Sequence, residues 1–217
     1  MYARIYSVCL ALMLALTPTP WCLAQVPPPD PALANSVVTI EVVVGNRPRV
    51  GSGVLLLESN LVITSHRLVR GASKAQVHLA NPPRVEVGGV LAANEATDLA
   101  LLKLRRELPN GVPLRPAELI PRVGDSVWMH GGIQPDIPWF AHTEVRALRG
   151  GSEQELAWNA KPGELHRAHR WITLQTPLPA SALGGGLFDT QGNLVGLLTS
   201  PREETLSVSY AIDVWAI

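Results

Sequence analysis

Short runs of β-branched and apolar residues, each ended by turn-forming residues, fill most of this 217-residue chain. The first run is S-V-V-T-I-E-V-V-V from residue 36, and turn formers follow at 45–46, 59–60, 81–83 and 109–111. Runs of this length are short for ordinary helices, and their spacing is typical of β-barrels and sandwiches. With 47% apolar residues, the chain can bury a large core. The sequence therefore predicts an all-β protein.

A proline-rich connector containing Pro113, Pro116 and Pro121 divides the runs into two sets. We predict a first barrel at about residues 36–110 and a second at about 120–217, with roughly six strands each. Such a pair fits a double six-stranded β-barrel with a cleft between its halves.

The first 24 residues have the pattern of a secretory signal peptide. Arg4 precedes an apolar run at residues 5–16, and small residues before position 25 favour cleavage after Ala24. The alternatives are a lipoprotein cysteine at Cys22 and an uncleaved anchor. We expect a periplasmic or secreted protein with no membrane span after cleavage.

Residues 25–35 read Q-V-P-P-P-D-P-A-L-A-N and predict a semi-rigid, extended tether. Both cysteines, Cys9 and Cys22, precede it, so the predicted mature chain has no disulfide to stabilise it. The formal net charge of the whole chain is zero, and no basic excess indicates a nucleic-acid partner. We expect no cofactor and no metal, and we interpret His166 and His169 as parts of a solvated loop.

Four segments in order resemble the trypsin-like serine protease family in its HtrA/Deg-like form. They are G-S-G-V-L-L-L-E-S-N-L-V-I-T-S-H-R-L-V-R-G-A from residue 51, A-T-D-L-A-L-L-K-L from 96, R-V-G-D-S-V-W-M-H-G from 122 and S-A-L-G-G-G-L-F-D-T-Q-G-N-L-V-G-L-L from 181. The resemblance covers nearly all of residues 36–217 and implies the family's double β-barrel.

The resemblance also places the three catalytic positions. Asp98 takes the aspartate's place, Arg67 stands where the histidine belongs, and Leu183 stands where the serine belongs. Leucine has no atom that can attack a carbonyl, and a guanidinium stays protonated and cannot act as a general base. We expect Asp98 to be buried between the barrels, paired with Arg67 and covered by Leu183. The alternative is that Asp98 only accepts hydrogen bonds from backbone amides.

The loop that holds the oxyanion in the family is altered as well. Its positions here are Ser181, Gly184 and Gly185, and Ser181 replaces the family's first glycine. His66 lies one residue before the histidine's position. Relocated chemistry using His66 with Ser65 or Ser181 is an alternative, although neighbouring side chains on a strand or turn point apart.

The family's substrate strand corresponds to Thr199, Ser200 and Pro201, where the proline lacks an N–H for a peptide partner. Trp158 is a further candidate for protein binding, since aromatic residues are enriched in interfaces. The sequence predicts an exported pseudoprotease that binds proteins as a scaffold, chaperone or regulatory subunit. The rival hypotheses are an active peptidase or hydrolase with relocated residues and a structural domain held by its tether.

Overall fold

The computed structural model describes residues 31–79, 83–117, 121–134, 137–150, 170–199 and 209–213. The first six strands are β1 Val37–Val44, β2 Arg47–Leu55, β3 Leu61–Ser65, β4 Ala72–His78, β5 Val85–Asn94 and β6 Leu99–Leu104. The other six are β7 Ser126–Gln134, β8 Ile137–Gly150, β9 Arg170–Leu174, β10 Gly186–Phe188, β11 Leu194–Thr199 and β12 Ser209–Asp213. One short α-helix, α1 His66–Val69, and two short 3-10 helices, Pro31–Asn35 and Ala180–Ala182, complete the described elements.

The first six strands form a closed antiparallel barrel in the order β1-β2-β3-β6-β5-β4. The turn at Gly45 and Asn46 joins β1 to β2, with Val44 opposite Arg47. Gly45 has a φ of +60°, which a glycine adopts without strain. β-branched residues of β1 alternate into the barrel, where Val38, Ile40 and Val42 are buried. The predicted first set of strands is therefore a closed barrel.

β5 is less regular than its neighbours. Its pairing with β6 shifts register between Val87 and Gly89 and again between Val90 and Ala92. Its pairing with β4 is limited to two residue pairs, at Glu86 and Val85. Each shift inserts an extra residue, which bends the strand and locally interrupts its regular pairing with β6.

The other six strands form a second closed antiparallel barrel in the order β10-β11-β12-β9-β8-β7. Its core holds Met129, Ile172, Leu174, Leu187 and Leu198. The predicted double six-stranded barrel is confirmed. Within the described ranges, no helix is long and apolar enough to cross a membrane.

A third apolar cluster joins the two barrels. It combines side chains of the first barrel with side chains of the second, among them Val54, Ile63, Leu99, Phe188, Leu197 and Ile212. Burying a large aliphatic side chain contributes roughly 2 kcal/mol. The barrels are therefore packed against each other, and residues at the ends of their strands meet across this contact.

Candidate functional site

Antiparallel pairing of β3 with β6 brings Arg67 to Asp98. Ser65, the last residue of β3, lies opposite Leu99, the first residue of β6. The residues just after Ser65 therefore lie beside the residue just before Leu99. Asp98 has a φ of +54°, a left-handed conformation that aspartate tolerates better than most residues. Only 6% of Asp98 is exposed.

The Asp98 carboxylate is held by Arg67 through both main chain and side chain. The Arg67 backbone N–H donates to Oδ1 at 2.9 Å, and its Nε and Nη2 donate to Oδ2 at 3.1 and 3.0 Å. The ion pair predicted from the sequence is present. The Arg67 side chain is 37% exposed and that of Asp98 is 9% exposed, so the pair lies near the surface with the carboxylate inward.

Two hydroxyls complete the cluster, one from each barrel. Ser65 Oγ donates to Asp98 Oδ2 at 2.7 Å, and Thr199 Oγ1, at the end of β11, donates to the same oxygen at 2.8 Å. Burial by itself raises the pKa of Asp98, but the hydrogen bonds from Arg67, Ser65 and Thr199 outweigh it and hold the pKa below its usual value. The carboxylate is thus ionised and fully engaged at neutral pH.

The histidine that precedes Arg67 takes no part in this network. The backbone N–H of His66 donates to the Asp98 carbonyl at 2.9 Å, but none of the five hydrogen bonds to the carboxylate comes from His66. The Ser65 hydroxyl is bound to the carboxylate, to which it donates its proton. The carboxylate therefore does not orient His66 as a base, and the Ser65 hydroxyl is already engaged.

The loop around Leu183 begins as a tight turn. The N–H groups of Ala182 and Leu183 donate to the carbonyls of Pro179 and Ala180, at 2.9 and 3.3 Å. In triad chemistry, the amide at the nucleophile position is one of the two that hold the oxyanion. At Leu183, where the resemblance predicts the nucleophile position, the amide donates to Ala180 instead and is not a free donor.

The next two amides of the loop are also satisfied. Gly184 N–H donates to the Leu198 carbonyl at 2.8 Å, and Gly185 N–H donates to the Ala182 carbonyl at 2.9 Å. Gly184 has a φ of +85° and is buried against β2. These bonds anchor the loop on β11 and leave its glycines packed inside the protein.

Ser52 of β2 clamps the same loop from the first barrel. Its N–H donates to the Leu183 carbonyl at 2.9 Å, and its Oγ lies 2.8 Å from the Ser181 carbonyl and 3.2 Å from the Gly132 carbonyl. Gly132 N–H donates to the same Oγ at 2.9 Å. One buried serine therefore connects the loop, β2 and β7.

Replacing Ser52 with alanine should lower the free energy of unfolding by about 2 kcal/mol, because it leaves the buried Gly132 N–H and the Ser181 carbonyl without this partner. Urea unfolding measures the change. Ser73→Ala is the matched control, since Ser73 is exposed and makes one bond to a strand carbonyl. A Ser52→Ala cost no larger than that of Ser73→Ala would contradict the assigned clamp.

Only some of the other residues predicted for the site are described by the structure. Trp158, Ser200, Pro201, His166 and His169 lie outside the described residues. The Thr199 side chain is buried and used by Asp98, so its hydroxyl is not available to a partner peptide. That Leu183 covers the ion pair stays a prediction.

Sequence reasoning missed the part played by Ser52, although it lies between two glycines of the G-S-G run. That spacing was the available signal, because small neighbours let two backbones approach closely. It also missed the hydroxyls that bind Asp98, for which the sequence carries no local signal.

Comparison with known proteins agrees with this architecture. The chain is 26% identical over 170 residues to the putative serine protease HhoB of Synechocystis, covering 76% of this chain and 37% of that protein. It is 26% identical over 149 residues to the serine endoprotease DegS of Haemophilus influenzae, covering 69% of this chain and 41% of that protein. It therefore spans less than half the length of these two relatives.

Solved structures show the same fold. The HtrA-type protease AlgW with a tripeptide superposes with a TM-score of 0.64 at 22% identity, covering 84% of this chain and 58% of AlgW. The inactive form of Rv3671c from M. tuberculosis superposes with a TM-score of 0.66 at 20% identity, covering 85% of both chains. Residues 51–197 match the family described as the trypsin-like peptidase domain. The chain with the Arg67–Asp98 cluster and the clamped Leu183 loop belongs to the trypsin-like peptidase domain family.

Proposed function

We propose that this protein is a catalytically inactive member of its family that acts by binding other proteins. The proposal rests on the observation that the Asp98 carboxylate is already paired with Arg67. A carboxylate that would orient a general base instead accepts two hydrogen bonds from the guanidinium of Arg67 and a third from its backbone N–H. A permanent cation at this place cannot accept a proton from a nucleophile.

Two further features support inactivity. The nucleophile position is Leu183, whose side chain has no attacking atom. Its amide donates within the loop to Ala180, so the oxyanion donor is missing together with the base and the nucleophile. Loss of one triad member already leaves only roughly 10³–10⁴-fold acceleration over water.

The retained double-barrel fold supports a binding role. Both barrels close and pack against each other, so the domain keeps a stable surface without its chemistry. The roles we propose are scaffold, chaperone or regulatory subunit of an exported protein. The segment of Thr199, Ser200 and Pro201, without the Thr199 hydroxyl that Asp98 uses, and the side chain of Trp158 are the proposed binding surfaces. Cleavage after Ala24 and a periplasmic or secreted location are parts of the same proposal.

A fluorophosphonate probe tests inactivity directly. The purified protein should remain unlabelled and leave casein uncut under conditions in which trypsin is labelled and cuts it. Labelling of the protein would contradict the proposal, and Ser65→Ala and Ser181→Ala variants would then identify a relocated nucleophile. The Arg67→His, Leu183→Ser double variant asks a separate question. Its labelling would show that the loop can still rearrange to hold an oxyanion.

Deletion of residues 25–30 separates the two binding hypotheses. It stops before residue 31 because the end of the predicted extended tether instead forms the 3-10 helix Pro31–Asn35, whose Leu33 is buried in the cluster between the barrels. A protein that binds partners through the surface of its barrels should retain them after the deletion, as measured by crosslinking in an envelope extract. Loss of every crosslink while the fold is unchanged by circular dichroism would favour a tethered structural domain instead.

A further inference from the structure

His130 is a buried histidine whose ring nitrogens make no hydrogen bond of good geometry to any residue that the structure describes. It lies on β7 and is 1% exposed. Its ring centroid lies 3.9 Å from that of Phe140 on β8 and 6.4 Å from that of Phe188 on β10. An imidazole in such surroundings is stable only in its neutral form, because a buried charge without partners is costly.

Among the described residues that flank this ring, no charged side chain is placed to compensate a proton on it. On the same face of β7 and β10 lie Trp128, Gly186 and Phe188, none of which titrates. On β8 the face continues from Phe140 to His142, whose ring packs on Trp128 at 5.1 Å, and then to the exposed Glu144. After His130 on β7, Gly131 and Gly132 lie against Ser52 and Thr39 of the first barrel. Both of these side chains are neutral.

Burial lowers the pKa of His130 to about 4. The carbonyls of Gly131 and Trp139 favour the charged ring slightly, but neither makes a hydrogen bond of good geometry with it. An unfolded histidine titrates near pH 6.5. Stability from the neutral ring is therefore complete above about pH 6.5 and is lost progressively as the pH falls from there toward 4.

β7 connects this ring to the Leu183 loop within two residues. Gly131 packs directly on Ala182, since a Cβ placed on the glycine would lie 2.7 Å from that of Ala182. Gly132 is hydrogen-bonded to Ser52, whose hydroxyl also bonds the Ser181 carbonyl. A displacement of β7 at residues 130–132 would therefore break the contacts that hold the loop.

We propose that His130 is an acid-sensitive latch on the loop at residues 180–185. When the ring takes up a proton it must reach water, and the ring of Phe140, which is 37% exposed, covers it on that side. Its exit displaces β7 and removes the Ser52 hydroxyl from the Ser181 carbonyl, so that the loop is held less firmly and its amides open to exchange more often. The inference goes beyond the proposed function and does not depend on whether the protein is catalytic.

Hydrogen exchange measured by mass spectrometry tests the latch on the purified protein at pH 7 and pH 5, after correction for intrinsic exchange rates. At pH 5, the segment 180–185 should open about 30-fold more often in the wild type than in His130→Leu, as the two titration midpoints require. At pH 7 the two proteins should differ less than about twofold. His142→Gln is the control, and it should keep the acid response because His142 is exposed.

Three outcomes would overturn the latch. One is equal exchange of the segment in wild type and His130→Leu at pH 5. Another is an equal acceleration in β1 and β6, which would indicate global unfolding. The last is a normal titration of the His130 ring by NMR in the wild type, a measurement that stands even if the leucine variant does not fold.

Discussion

Asp98→Ala should lower the free energy of unfolding by about 4 kcal/mol. The substitution leaves the hydroxyls of Ser65 and Thr199 buried without an acceptor and takes the counter-ion from Arg67. It also puts alanine at a φ of +54°, a left-handed conformation that costs roughly 1–2 kcal/mol for such a residue. Urea unfolding at pH 7 measures the change.

Asp98→Asn separates the charge from the backbone strain. Asparagine tolerates the left-handed conformation and keeps the size of the side chain, but it offers one acceptor oxygen where the carboxylate offers two. We expect a loss of about 2 kcal/mol. Glu95→Gln is the control, because the Glu95–Arg70 pair is more than half exposed on both sides and such pairs contribute little. An Asp98→Ala cost below that of Glu95→Gln would contradict the assigned role.

The same variants predict how the contribution of Asp98 to the free energy of unfolding changes with pH. The folded pKa of Asp98 lies below its usual value, so its contribution is present above about pH 4 and is lost as the pH falls through the folded pKa. The difference in stability between wild type and Asp98→Asn should therefore shrink below about pH 4. A difference that grows on acidification would contradict the hydrogen-bonded carboxylate.

Gly184→Ala should cost about 4 kcal/mol or more, and the protein should lose a cooperative unfolding transition. A Cβ at this position would collide with the Ser52 carbonyl oxygen and would lie 2.5 Å from Thr64 Oγ1. The Ser52 carbonyl is backbone of β2 and cannot move without opening the first barrel. The φ of +85° adds strain that is independent of these contacts.

Gly124→Ala is the matched control for Gly184→Ala. Gly124 has a φ of +90°, and nothing lies within 4 Å of the position that its Cβ would take. It therefore measures backbone strain alone, which we expect at about 1 kcal/mol. Thermal unfolding of the two variants, followed by circular dichroism, gives the comparison. Equal costs would show that the loop can relax away from β2 and that the close contact is unimportant.

Much of the architecture could be predicted because strand and turn signals are local. The β-branched run of β1 and the turn formers at Gly45 indicated a strand and its end, and β1 ends there and pairs with β2. The irregularity of β5 could not be predicted in this way. Its extra residues near Gly88 and Leu91 depend on the register with β6, which the order of residues in β5 does not encode.

The candidate site, like the fold, could be predicted from the sequence only in part. The pair of Arg67 and Asp98 could be inferred because each residue stands inside a recognisable segment. The positive φ of Asp98 and the turned amide of Leu183 could not, because backbone conformation in a loop depends on what packs against it. His130 was missed because a histidine within an apolar strand carries no sign of which neighbours will enclose its ring.

The sequence by itself determined that this chain forms strands rather than helices, and it placed Arg67 and Leu183 within segments that resemble those of the family. Both follow from residue type and from short spacings along the chain, and neither depends on folding. Only the tertiary structure decided that Thr199 would bind Asp98, 101 positions earlier, and that Ser52 would clamp a loop 129 positions later. Hydrogen bonds at such separations exist only once both barrels have closed and packed together, because barrel closure sets which distant residues meet.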